Sequence, residues 1–177
     1  MISIERYPTI NVNGTMYDAL IAIKMANQSK DEGQENYQAA LVTDDHEKII
    51  GKIGRTGFLK ALEPNYNKIF DMDKLSKISL SSEYVESLMS QFNLWESFSP
   101  NLCKVAAQIK VTEIMSHIEQ NIDLNTSIFN AIHKLIMWQT LSILVTDRDD
   151  IVGIIRLSDI YNSIESYIIQ NCSNCEE

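Results

Sequence analysis

Two thiols near the end of the chain, Cys172 and Cys175 in "CSNCEE", form the one spacing here that suggests chemistry by itself. A C-x-x-C pair serves either as a redox couple or as half of a metal clip. A four-thiolate zinc site needs two more ligands, which two tails meeting in a dimer could provide. The plainer alternative is a polar tail, 169–177, that frays and carries free thiols. Three cysteines in all make no disulfide framework. Elsewhere there is no nucleophile beside a base, no metal quartet and no glycine-rich phosphate loop. The expectation is therefore a protein that is not an enzyme and holds no metal.

Composition narrows the partners. The chain has 177 residues, 45% hydrophobic and 22% charged, enough for one or two domains with a real core. Its net charge of −9, from 24 acidic and 15 basic residues, would repel a nucleic acid, and no Lys/Arg cluster offsets it. A small phosphorylated ligand is still accommodated, because it needs only one local cation and a few N–H donors. No apolar run is long enough to span a membrane, and "MISIERYPTI" lacks a signal peptide's apolar centre, so a cytoplasmic location is expected.

Any residues with a job must be positioned by repeated elements. Leu41-Val42-Thr43-Asp44 recurs as Leu144-Val145-Thr146-Asp147. Upstream, "INVNGTMYDALIAIKM" sets beside "IDLNTSIFNAIHKLIM" without a gap, matching Ile10/Ile122, Asn13/Asn125, Ala19/Ala131 and Met25/Met137. Tyr17/Phe129 and Leu20/Ile132 are alike in bulk. The alignment slips only in polar loops, where indels are cheap. Each copy predicts a strand, a helix with apolar periodicity, two strands joined by a charged turn, and a second helix. Thr15 and Ser127 stand where helix N-caps would be. The first helix's stripe is Met16, Leu20, Ile23 and Ala26; the second's is Ile128, Ala131, Ile132, Leu135 and Ile136, with His133 on the surface side.

The second copy, "KVTEIMSHIEQNIDLNTSIFNAIHKLIMWQTLSILVTDRDDIVGIIRLSDI", resembles a cystathionine-β-synthase-type (CBS) domain along its whole length. The likeness lies in Val111, Ile114 and Met115, in the Ala131 helix, in the strand ending at Asp147, and in the run from Gly153 to Asp159. The first copy is similar with a shortened start. The resemblance implies an α/β fold of two βαββα repeats, residues 1–62 and 109–168, packed with pseudo-twofold symmetry as a Bateman module. It also implies a regulatory role, with an adenosine compound such as AMP, ADP, ATP or S-adenosylmethionine bound in the cleft between copies.

The family's nucleotide motif is Gly, two hydrophobic residues, Thr or Ser, two variable residues and Asp. Its carboxylate accepts both ribose hydroxyls, while a hydroxyl and helix N–H groups receive phosphate. In the second copy Gly153, Ile154, Ile155, Arg156, Leu157, Ser158 and Asp159 fill it, with Arg156 in the hydroxyl position. Gly153, Ile155, Arg156, Ser158 and Asp159 are thus ligand-binding candidates, joined by Ser116 and Ile118 after the Ile-Met opening, where the family lines its cleft. Ser158 and Asp159 would equally serve as helix cap and dipole partner without any ligand. In the first copy Gly54 replaces the hydroxyl and Gly57 the carboxylate, with Thr56 as a shifted substitute.

Between the copies, 63–108 reads as a helical insert. Tyr84, Val85, Leu88, Met89 and Phe92 make one stripe; Ser99-Pro100 would open a second helix striped by Leu102, Val105, Ala106 and Ile109. The insert either covers the module's own apolar surface or docks a regulated partner or a second copy (a homodimer), with Phe92 and Trp95 as anchors.

Overall fold

A computed structural model describes residues 1–30, 36–63, 81–94, 101–118, 121–148 and 150–172. In chain order the strands are β1 (Ile2–Ser3), β2 (Thr9–Asn11), β3 (Ala39–Thr43), β4 (Ile49–Gly54), β5 (Ser116–His117), β6 (Asn121–Asp123), β7 (Ser142–Asp147) and β8 (Asp150–Arg156). The helices are α1 (Met16–Gln28), α2 (Arg55–Ala61), α3 (Ser82–Gln91), α4 (Leu102–Gln108), α5 (Val111–Ile114), α6 (Ile128–Met137) and α7 (Leu157–Cys172). They form two compact units, Pro8–His117 and Met1–Tyr7 with Ile118–Glu177.

In the unit Pro8–His117 the sheet order is β2-β3-β4-β5. β2 and β3 run parallel across the α1 crossover, and β3 and β4 form an antiparallel hairpin. The helix starts as its sequence predicts. Thr15 Oγ1 accepts from Asp18 N at 3.2 Å while Asp18 Oδ2 accepts from Thr15 N at 2.9 Å, a reciprocal capping box. These hydrogen bonds, the backbone one first, hold the Asp18 carboxyl below its usual range. Met16, Ala19, Val42, Ile53, Phe58, Ala106 and Val111 form the core. Ala106 brings α4 into that core, so this part of the insert covers the unit's own apolar surface.

In the other unit the order is β1-β8-β7-β6, again a parallel pair, an antiparallel hairpin and a short edge strand. Ser127 caps α6 by accepting from Asn130 N at 3.3 Å. Ile122, Ala131, Leu135, Ile143, Val145 and Ile160 form its core. The repeat extends to irregular details. Both hairpins carry a register shift after the shared valine, at Val42/Thr43 and at Val145/Thr146. Both turns hold a residue at positive φ, Glu47 at 62° and Arg148 at 58°.

The sequence stripes are wider than the cores they serve. Leu20, Ile128 and Ile136 are exposed, because the buried helix face is centred on Ala19 in one copy and on Ala131 and Leu135 in the other. The second insert helix also starts later than its sequence suggests. Asn101, not Ser99, is the N-cap of α4, accepting from Lys104 N at 3.0 Å. Ser99, Pro100, Trp95 and Cys175 lie outside the described residues. Phe92 caps the C-terminus of α3, whose Tyr84, Val85 and Met89 are exposed while Leu88 is buried.

Candidate functional site

The motif of the second copy runs from β8 straight into α7. Arg156, the last strand residue, is buried, while the Asp159 side chain in the first helical turn keeps 27% of its surface. The two form a bidentate pair: Arg156 Nε donates to Asp159 Oδ2 at 2.8 Å and Nη2 donates to Oδ1. The planar fork matches the carboxylate edge, so the pair fixes the orientation of both groups. Each carboxylate oxygen retains a further lone-pair direction. Ser158 is half-buried, and its hydroxyl has no hydrogen bond among the described residues.

The other candidates are placed differently. Gly153 is buried against the edge strand; a Cβ there would lie 2.7 Å from Met1 Sδ and 2.9 Å from the Ile2 carbonyl oxygen. Its smallness is explained by that close approach of β1. Ile155 packs on the unit's core and pairs with Ile143 in register. Ser116 belongs to the other unit, in β5, where its hydroxyl donates to the Lys52 carbonyl at 3.0 Å. Ile118 is half-buried at the start of the unit that holds Asp159.

The first copy is closed at the corresponding point. A Cβ on Gly57 would meet the Ile114 carbonyl oxygen at 2.8 Å, so the backbone of α5 occupies the space a carboxylate side chain would need. Thr56 is exposed, and a Cβ on Gly54 would meet nothing. Sequence reasoning passed over Lys52, although it is a cation at the first hydrophobic position of the motif. It stands opposite Leu41 and Ser116 in the sheet, and burial lowers its ammonium pKa to about 8. Its counterpart Ile154 is fully buried.

Among the described residues no three His, Cys, Asp or Glu side chains converge as metal ligands. Cys103 is an exposed free thiol. No helix among them is long and apolar enough to cross a membrane.

Residues 111–166 match the family model of the CBS domain, and no catalytic family is indicated. That stretch begins in one compact unit and continues in the other. No curated protein sequence matches the chain as a relative. Solved structures share the fold at low identity. CBSX2 in complex with AMP is 15% identical, with a TM-score of 0.57 over 94% of this chain and 93% of that one. A CBS domain-containing protein from Bacillus anthracis is 17% identical, with a TM-score of 0.56 over 94% and 89%. The CBPB protein from Listeria monocytogenes is also 17% identical, with a TM-score of 0.55 over 95% and 98%. Residues 111–166 are thus a CBS domain, and the chain as a whole has the α/β fold of a stand-alone CBS-domain pair.

Proposed function

We propose that this protein is a non-catalytic regulatory module that binds an adenosine-containing nucleotide at the second repeat. The observation that carries the reading is the Arg156–Asp159 pair. It holds a partly exposed carboxylate in one orientation at the motif's ribose position, beside the Ser158 hydroxyl, which has no hydrogen bond among the described residues. A ribose diol would take the free lone pairs of Asp159, and Ser158 would meet a phosphate oxygen. Arg156 then acts as a positioning residue rather than as the phosphate ligand, because two of its donors are committed to Asp159. The fold shared with a protein solved in complex with AMP supports the ligand class. The first repeat contributes no equivalent site, since Gly57 has no room for a side chain.

The test is thermal unfolding with AMP, ADP, ATP or S-adenosylmethionine at millimolar concentration. A ligand that binds only the folded state raises Tm by mass action. The expected result is a rise with at least one compound that disappears in Asp159→Ala. No rise with any of the four overturns the reading.

A second reading has its own observation. Repeat-equivalent helix positions are exposed and apolar in both copies: Tyr17 with Phe129, and Met25 with Met137. On α7, Leu157, Tyr161, Ile164 and Ile168 make an exposed stripe at i, i+4, i+7 and i+11. Apolar surface kept outward in both copies needs a cover, and we take that cover to be a second copy of the chain. Light scattering should then give a dimer mass that Phe129→Asp with Ile168→Asp reduces to a monomer. A wild-type monomer at micromolar concentration excludes it.

A further inference from the structure

The unit Pro8–His117 contains a cavity of about 540 Å³ that makes almost no use of the motif. It lies between the second half of α1, residues 36–38 and the start of α2. Of the motif positions only Arg55 lines it. The volume falls in the range of small-molecule sites.

Its lining has a definite polarity. Tyr37 and Phe58 are buried aromatics, and Ile23 is half-buried beside them. Tyr37 is held by the Asn27 carboxamide, whose Oδ1 accepts from Tyr37 N at 2.6 Å and whose Nδ2 donates to Tyr37 O at 3.1 Å. This double clamp fixes the aromatic wall against α1. At the opening stand two cations, Lys24 and Arg55, both exposed and neither hydrogen-bonded nor ion-paired among the described residues. Among the described residues that line the cavity none is acidic. In a chain of net charge −9, two cations beside an aromatic floor are not a general property of the surface.

The second repeat is an internal control. The positions equivalent to Lys24, Arg55 and Gln38 are Ile136, Leu157 and Leu141, all exposed and apolar. The floor differs as well, with Ile160 standing where Phe58 does and Thr140 where Tyr37 does. The two copies therefore differ at this place in two respects that go together: one presents cations and an amide beside aromatic side chains, the other aliphatic side chains with no aromatic at either floor position. Helix packing does not require the cations, because Lys24 and Arg55 are exposed, as are Ile136 and Leu157.

We propose that this cavity is a separate binding site for a small phosphomonoester with an aromatic or apolar body. The body rests on Phe58 and Tyr37, and the phosphate is taken by Lys24 and Arg55, with Gln38 as a supplementary donor. The site is independent of Asp159 and of the nucleotide reading above.

The experiment titrates phenyl phosphate into ¹⁵N-labelled full-length protein and follows the amide resonances. Saturable shifts clustered at α1, Tyr37 and α2 are expected. Charge-assisted hydrogen bonds are worth enough that Lys24→Ile with Arg55→Leu should weaken binding about tenfold or more. That variant installs the second repeat's residues, and an unchanged amide pattern elsewhere verifies its fold; if it fails to fold, Lys24→Gln with Arg55→Gln gives the same reading. Asp159→Ala should leave phenyl phosphate binding unaltered. The absence of saturable shifts at millimolar phenyl phosphate overturns the proposal. So does binding that survives loss of both cations, or inorganic phosphate binding as tightly as phenyl phosphate.

Discussion

Arg156 Nε lies 2.8 Å from Asp159 Oδ2, three residues apart across the junction of β8 and α7, and this pair closes the strand-to-helix turn. A buried guanidinium left without its carboxylate is costly, but Asp159 is partly exposed and water can reach the gap. Asp159→Asn should therefore lower stability by roughly 1–2 kcal/mol in urea unfolding, less than for a fully buried pair. Arg156→Lys keeps the charge and loses the fork. It should retain part of the stability yet shrink any nucleotide-induced rise in Tm, because Asp159 is no longer oriented.

Lys52 gives a pH dependence of defined sign. Its folded pKa, about 8, lies below the usual 10.5 because of burial. Above the folded value the unfolded chain binds the extra proton, so stability rises from about pH 8 to 10.5 and is flat below. Lys52→Ile, the residue of the other repeat, should remove that rise and add roughly 1–3 kcal/mol at pH 7. Urea unfolding at pH 7 and pH 10 reads both effects. A rise that persists in the variant would mean another group is responsible.

Gly51 and Gly153 stand at equivalent places under an edge strand, yet alanine should be tolerated unequally. At Gly153 the added Cβ meets a backbone carbonyl, Ile2 O at 2.9 Å, as well as Met1 Sδ. At Gly51 the closest atom is Met115 Sδ at 2.7 Å, while the Ser116 carbonyl is 3.2 Å away. A methionine side chain can swing aside and a paired strand cannot. Gly153→Ala should cost about 1–3 kcal/mol and Gly51→Ala less, measured by denaturant unfolding.

The two caps also differ in kind. Thr15 and Asp18 exchange hydrogen bonds, whereas Ser127 caps in one direction. Both alanine substitutions should destabilise by about 0.5–2 kcal/mol, Thr15→Ala by more. The Asp18 contribution is present above the ordinary carboxylate pKa and is lost as pH falls through its lowered folded value.

The βαββα order, the caps Thr15 and Ser127 and the paired valines were legible, because periodicity and capping are local signals. Two things were not. The occupant of the Gly57 space is a carbonyl from Ile114, far away in sequence, and no local pattern announces it. The engagement of Asp159 by Arg156 was open to inspection, since a charged pair at i, i+3 sits in the motif itself. The edge strands were hidden by attribution. Met1-Ile2-Ser3-Ile4 and Met115-Ser116-His117-Ile118 are a third pair of matching segments, each placing a methionine over a glycine, Gly153 and Gly51. Read as openings of their own repeats, they conceal that β5 completes the sheet of β2, β3 and β4, and β1 the sheet of β6, β7 and β8.

That exchange of edge strands has a consequence for synthesis. Of the described strands, β1 is made first, and its partner β8 follows only after all the others. The unit Pro8–His117 can complete its sheet as soon as residue 117 is out, while Met1–Tyr7 must wait with its backbone groups unpaired. Closing so long a loop slows the last step and sets its order. A nascent chain stalled after the first repeat would therefore present β1 as an unmatched strand, a natural handle for a chaperone and a hazard without one.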